Sequence, residues 1–229
     1  MNSNSVKLLL QQFPLFRSLT ENEINLIVRL AVTREYKKDS HIFFQGDPLT
    51  DVYFIFSGKI KIYRLDAQGN EQIVNILKKG DMFPHQGFFR KDSYPANAQA
   101  MEDAVLIYIP IQSFEQFLIR NPEVCIKIFR ILGDQIMELH QRLEEKILYN
   151  TYDQILLLLL RLTKKHGKKL NEQEFLISTL LTNRDLANMI GSSRETVNRT
   201  LSQLKKRNFI RYEDGYIVTR PDKLREELI

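Results

Sequence analysis

Cysteine is almost missing from this chain: Cys125 stands alone among 229 residues. One thiol excludes an internal disulfide framework, a cysteine-ligated iron–sulfur cluster and a zinc finger. Long apolar runs are missing too. The longest are six residues, as at Ile155–Leu160, against the ~18 that a membrane span requires. No opening segment joins a basic start, an apolar run and a small-residue cleavage site, so the expectation is a soluble cytoplasmic chain with no membrane partner. Histidine is scarce. His41, His85, His140 and His166 include no HxH or HxxxH pair, so no metal site, no cofactor and no catalytic centre of the cupin kind is expected. The chain is read as a non-enzyme.

The front of the chain also lacks any charge excess. Residues 1–148 hold 18 Lys and Arg against 18 Asp and Glu, whereas residues 149–229 hold 15 against 10. The whole formal charge of +5 therefore lies in the last third. A neutral front and a basic back suggest two domains, the back facing a polyanion. The 43% hydrophobic content is enough for real cores at this length.

What is present is ordered punctuation. Val6–Gln12 reads as a short helix broken at Pro14-Leu15-Phe16, and Thr20-Glu21-Asn22-Glu23 has the form of a capping box before Ile24, Ile27, Val28 and Ala31. From about Val32 to Pro110 the pattern changes to short apolar or alternating runs. These are His41–Phe44, Val52–Phe56, Lys59–Arg64, Gln72–Leu77 and Ala104–Ile109. Gly46, Gly58, Gly69 and Gly80 divide the region at intervals of 12, 11 and 11 residues, and Asp66–Asn70 has hairpin-turn chemistry. Such spacing predicts an all-β barrel or roll.

Asn121-Pro122 predicts the start of a long helix, with Asn as N-cap and Pro in the first turn. Phe129, Leu132, Ile136, Leu139 and Leu143 follow at spacings of 3, 4, 3 and 4. They form either a face packed on the helix's own domain or, as the unbroken length favours, the seam of a two-stranded homodimer. After Tyr149 come an apolar helix, Tyr152–Thr163, and a basic polar loop, Lys164–Lys169.

Residues 182–207 read TNRDLANMIGSSRETVNRTLSQLKKR. Thr182 and Asp185 make a capping-box-like start, Leu186, Ala187 and Ile190 an apolar face, and Gly191 a sharp turn. Ser192 or Ser193 caps a second helix whose buried stripe is Val197, Leu201 and Leu204. This is helix-turn-helix spacing. Arg194, Glu195, Asn198 and Arg199 fall within an arc of about 140° away from that stripe. They are the candidate base contacts, because an arginine fork fits guanine and a glutamate accepts from cytosine. Lys205-Lys206-Arg207 suit phosphates. The bland reading is a solvated helix with i,i+4 pairs such as Glu195–Arg199. Phe209–Tyr212 and Gly215–Thr219 alternate around Glu213-Asp214, as a β-hairpin wing would.

The segment IGSSRETVNRTLSQL resembles the DNA-reading motif of the cyclic-AMP receptor protein/FNR superfamily, and FFQGD, YFIFSGKIKIY, LKKGDMF and NPEV resemble its β-roll and dimer helix. The resemblance covers nearly the whole chain. It implies an α+β fold, with an N-terminal cyclic-nucleotide-binding-like jelly roll (residues 1–120), a dimerisation helix (121–148) and a C-terminal winged helix-turn-helix (149–229). It implies a cytoplasmic homodimer on a palindrome of TGTGA-like half-sites in double-stranded DNA, acting through RNA polymerase. It carries base contacts over to Arg194, Glu195 and Arg199, with Asn198 where the family has a small residue. Hydroxyl contacts to phosphate carry over to Thr182, Ser193 and Thr196, and Asn183, Lys205 and Lys206 join them as phosphate candidates.

The sensor departs from the resemblance. Cyclic-AMP binders carry G-E-L for the ribose and R-S/T-A for the phosphate. Here His85 stands at the Glu position, and Tyr94 and Pro95 replace the Arg and the hydroxyl. The hydroxyl pair that meets adenine falls on Leu139 and His140. Cyclic AMP is therefore not the expected signal, and the FNR cysteine cluster is absent. Phe83, His85, Tyr94, Leu139 and His140 remain the candidate effector pocket, with Phe88 and Phe89 as further aromatics; Phe83, Phe88, Phe89 and Tyr94 also read as plain roll core. His85 reads as a packing residue or, more sharply, as a haem ligand or pH sensor. DMFPHQGFFRKDSYPA also resembles the ArcR-type activators of the arginine deiminase pathway, which implies an activator of anaerobic or arginine-catabolic genes. Two alternatives stand beside this: a constitutive regulator whose roll binds nothing, and a catalytic or small-molecule-binding roll with an accessory tail, which would need a charged or metal-binding cluster in the roll.

Overall fold

The computed structural model describes residues 3–11, 13–16, 19–84 and 93–228. The chain packs as two compact units, one up to Ile136 and one from Met137 on, the division falling inside a long helix.

The first unit opens with α1 (Ser3–Leu10), a 3₁₀ turn (Pro14–Phe16) and α2 (Glu21–Leu30). The sequence sets α2 directly: Thr20 accepts from the Glu23 N–H while the Glu23 carboxylate accepts from the Thr20 N–H, a complete capping box. Among the described residues eight strands follow: β1 (Val32–Tyr36), β2 (His41–Phe43), β3 (Asp51–Ser57), β4 (Lys59–Leu65), β5 (Glu71–Lys78), β6 (Met82–Phe83), β7 (Asn97–Ala100) and β8 (Ala104–Pro110). They form two four-stranded antiparallel sheets, ordered β1-β8-β3-β6 and β2-β7-β4-β5. Phe43, Tyr53, Ile55, Ile60, Leu77 and Leu106 belong to the roll core. Gly58 joins β3 to β4 at φ +86, where an added Cβ would meet Ala104 Cβ at 2.6 Å. The β4–β5 turn is built by Asp66, whose carboxylate accepts from the Gln68 and Asn70 N–H groups.

α3 (Ile111–Arg120) then covers one sheet and joins a second core containing Phe16, Ile24, Phe54, Ile107, Phe114 and Val124. The sequence reading did not anticipate α3. Its consequence is a correction at Asn121, whose amide donates to Phe117 O at 2.8 Å and so closes α3 rather than capping the next helix. That next helix, α4, runs 27 residues from Pro122 to Leu148.

In the second unit α5 (Thr151–His166) is capped by Asn150, and Gly167–Lys169 forms strand β9. The expected basic loop is thus the end of a helix followed by a strand. β10 (Phe175–Ile177), α6 (Asn183–Ile190), α7 (Arg194–Lys206), β11 (Ile210–Glu213), β12 (Tyr216–Thr219) and α8 (Pro221–Glu226) complete it. The sheet order is β11-β12-β10-β9. The wing hairpin turns through Asp214 and Gly215, both at positive φ. Among the described residues no helix is long and apolar enough to cross a membrane, and no cluster of His, Cys, Asp and Glu could hold a metal ion.

Candidate nucleic-acid interface and effector cavity

α6 and α7 are set by caps and a turn. Thr182 and Asp185 form a reciprocal capping box on α6. Gly191 follows in the left-handed region, at φ +63 and ψ +51, a conformation that costs any residue with a Cβ. Ser193, not Ser192, caps α7: its hydroxyl accepts from the Thr196 N–H at 3.1 Å and lies 3.0 Å from the Thr196 hydroxyl. Val197, Leu201 and Leu204 are buried as the periodicity required.

Arg194, Glu195, Asn198 and Arg199 are all exposed along the free edge of α7. Among the described residues neither Arg194 nor Arg199 is in an ion pair, and the Glu195–Arg199 pair of the bland reading does not form. The Glu195 carboxylate is held below its ordinary range by hydrogen bonds from its own backbone N–H and from Ser193, so it stays an acceptor. Asn183 Nδ2 donates to Asn198 Oδ1 at 3.0 Å, which leaves Asn198 with N–H donors to offer a base. Lys205 and Lys206 are exposed, and Lys205 Nζ stands 5.8 Å from the Tyr212 ring centroid.

Arg207 has an intramolecular use that the sequence reading did not give it: its guanidinium is bound by both oxygens of Glu227, the residue after α8, and by the Tyr152 hydroxyl of α5. The wing has the same economy. Arg211 and Arg220 converge on Glu174 at 3.1 and 2.9 Å, and these two guanidiniums hold the Glu174 carboxyl at a pKa of about 2. These pairs span 37 and 46 residues, a distance no sequence pattern bridges.

The last turns of α4 also belong to this unit. Lys146 Nζ donates to Ile190 O, the carbonyl at the end of α6, at 2.9 Å, and Glu145, 8% exposed, pairs with Arg161 of α5 at 2.5 Å. Sequence reading missed both residues, because each looks like an ordinary charge on a helix. Of the seam residues, Phe129, Ile136, Leu139 and Leu143 are exposed, between 50% and 68%. Leu132 is half-buried and packs on the core of its own unit.

In the roll, a cavity of about 210 Å³ is lined by Phe43, Ile62, Val74, Leu77, Phe83 and Ala96, with Arg64 from β4, Asn75 and Gln135 as its polar members. Phe83 thus lies where the sequence reading put it. Tyr94 does not line the cavity. It is 3% exposed, its ring stacks on Phe43 with centroids 3.7 Å apart, and its hydroxyl accepts from the Asp51 N–H at 3.2 Å. Leu139 and His140 are exposed on α4. His85, Phe88 and Phe89 lie outside the described residues.

Residues 33–121 match the cyclic nucleotide-binding domain family and residues 154–227 the Crp-like helix-turn-helix domain family. The class is therefore that of a DNA-binding transcriptional regulator with a cyclic-nucleotide-binding-type roll ahead of its reading head. With both domains in this order, the chain belongs to the CRP/FNR family of transcriptional regulators. It is 26% identical over 206 residues to the anaerobic regulatory protein of Bacillus subtilis (strain 168), covering 89% of this chain and 86% of that one. It is also 26% identical over 215 residues to the cyclic AMP receptor protein of Thermus thermophilus, covering 94% and 96%. A solved CooA variant from Carboxydothermus hydrogenoformans superposes with a TM-score of 0.76 at 20% identity, over 96% of this chain and 95% of that one. Regulators of this family bind DNA and act as dimers, and these relatives are not enzymes.

Proposed function

We propose that this regulator works as a homodimer on a two-fold symmetric DNA site, reading each half-site with α7 and not gated by cyclic AMP. Residues 1–120 serve as the sensor, 121–148 as the dimer helix and 149–229 as the reading head. The observation that carries the reading is the edge of α7. It offers two arginines without ion-pair partners among the described residues, a carboxylate kept ionised and an amide, on a helix capped by Ser193. Arg194 and Arg199 supply guanine-type contacts and Glu195 a cytosine-type acceptor. Thr182, Asn183, Ser193, Thr196, Lys205 and Lys206 supply phosphate contacts. Exclusion of cyclic AMP is supported by Tyr94 and Pro95, which stand where a phosphate arginine and hydroxyl would be, with the Tyr94 hydroxyl turned onto Asp51. The likeness of DMFPHQGFFRKDSYPA to ArcR-type activators supports activation of anaerobic or arginine-catabolic genes through RNA polymerase.

Selection of bound sites from a random duplex pool tests this. The expected product is a palindrome with TGTGA-like halves, recovered equally with and without cyclic AMP. An asymmetric site removes the dimer reading, and a site recovered only with cyclic AMP removes the exclusion.

A further inference from the structure

We infer that Asn183 sets the base preference of Asn198. It holds the Asn198 amide with its donor edge outward, so that Asn198 selects a keto base, guanine or thymine. The inference rests on the reading of α7 as the helix that meets base edges. Its ground is one hydrogen bond across the helix-turn-helix. Asn183 Nδ2, at the start of α6, donates to Asn198 Oδ1 on α7 at 3.0 Å. Asn183 is half-buried and Asn198 is exposed.

The two helices do not depend on this bond to stay in place. Leu186, Ala187 and Ile190 of α6 and Val197, Leu201 and Leu204 of α7 are buried. What the bond fixes is the Asn198 side chain. Beside it lies an open groove of about 310 Å³, lined also by Ser202, Lys205 and Tyr212. Among the described residues Asn183 is the only hydrogen-bond partner of the Asn198 amide, since Ser202 Oγ donates to the Asn198 backbone carbonyl instead. Without Asn183 the amide has room to turn.

The direction of the bond decides what Asn198 can read. An asparagine side chain has one acceptor oxygen and two N–H donors. Adenine is recognised by both ends at once, an N–H on N7 and the oxygen on N6. With Oδ1 turned to α6, only N–H faces outward. Guanine O6 and N7 and thymine O4 accept such a donor. Adenine N6 and cytosine N4 carry N–H groups of their own, so donor would meet donor and neither would be satisfied. The opposite sense of the bond, with Asn198 donating, would turn Oδ1 outward and select adenine or cytosine. Asn183 acts through Asn198 and is therefore a positioning residue. A small residue at 198, as in the family pattern, has no amide to orient, so the pair belongs to this chain.

The test is selection of bound sites from a random duplex pool by the full-length protein, Asn198→Gly, Asn183→Ala, Asn183→Asp and Arg194→Ala. The position facing Asn198 is the one whose preference Asn198→Gly abolishes. There the unaltered protein should favour G or T over A or C by about tenfold. Asn183→Ala frees the amide, and that ratio should fall below about threefold. Asn183→Asp puts a carboxylate, which only accepts, beside Asn198. It takes an N–H, turns Oδ1 outward and should invert the preference to A or C. A merely structural bond would weaken all sites alike and move no preference. Selection of A or C by the unaltered protein, or the same keto preference in Asn183→Ala, overturns the inference. So does an unaltered site in Asn198→Gly. In each case the reading of α7 stands where Arg194→Ala changes another position of the half-site. If neither Asn198→Gly nor Arg194→Ala changes any position, that reading falls and the inference with it.

Discussion

Arg194 and Glu174 show how differently two charges on one small domain are used. Arg194 is exposed and has no ion-pair partner among the described residues, so its worth lies in the complex. Arg194→Ala should cost about 1–3 kcal/mol on the selected site and much less on random duplex, read by fluorescence anisotropy. An equal loss on both would reassign Arg194 to the phosphates. Glu174 is the opposite case, a carboxylate 11% exposed between Arg211 and Arg220. Its carboxyl titrates near 2 in the folded protein against an ordinary 4.5. Its contribution is therefore complete above about pH 4.5 and is lost as pH falls through about 2. Glu174→Gln should destabilise the protein by roughly 2 kcal/mol in urea at pH 7, with the gap less than half as large at pH 3. A gap of the same size at both pH values would mean that Glu174 acts by packing alone. The exposed edge of α7 was legible from the sequence because periodicity and one glycine place it. The Glu174 cluster was not, since it exists only once β10, β11 and the start of α8 meet.

Elements that carry their own boundary chemistry were read correctly. α2 and α6 have reciprocal capping boxes, α7 has Ser193, and the β4–β5 turn has Asp66. Elements defined by what packs on them were not. α3 was passed over, the Asn121 side chain closes α3 although the residue stands directly before α4, and β9 was read as loop because Gly167-Lys168-Lys169 owes its strand form to pairing with β10. α4 shows both outcomes on one face. Its 3-4 spacing is real, yet Leu132 packs on its own core while Ile136 stays 53% exposed. Ile136→Glu should therefore leave each protomer folded and convert the dimer to monomer in sedimentation, whereas Leu132→Glu should lower thermal stability directly. If Ile136→Glu stays dimeric, the interface lies elsewhere.

At the scale of the whole molecule, the +5 charge has an arrangement and not merely a total. Several cations of the basic third are spent internally: Arg161 on Glu145, Arg207 on Glu227, Arg211 and Arg220 on Glu174. The edge of α7 with Lys205 and Lys206 faces outward, as do Lys164, Lys168, Lys169 and Arg184. Affinity for duplex DNA should fall steeply with salt, and Lys205→Gln should reduce the slope of log K against log salt by about one. Arg207→Gln should leave that slope unchanged, because Glu227 already neutralises it. A slope lost equally in both variants would place Arg207 on the DNA.

The bond from Lys146 to the carbonyl of Ile190 has one more consequence. Together with Glu145 and Arg161 it welds the end of α4 to the reading head. In a dimer joined along α4, the crossing of two such helices becomes a caliper, and its jaws are the two α7 edges. On the proposed two-fold site, a change of crossing that moved them by a single base step, about 3.4 Å, would decide whether both halves could be gripped at once.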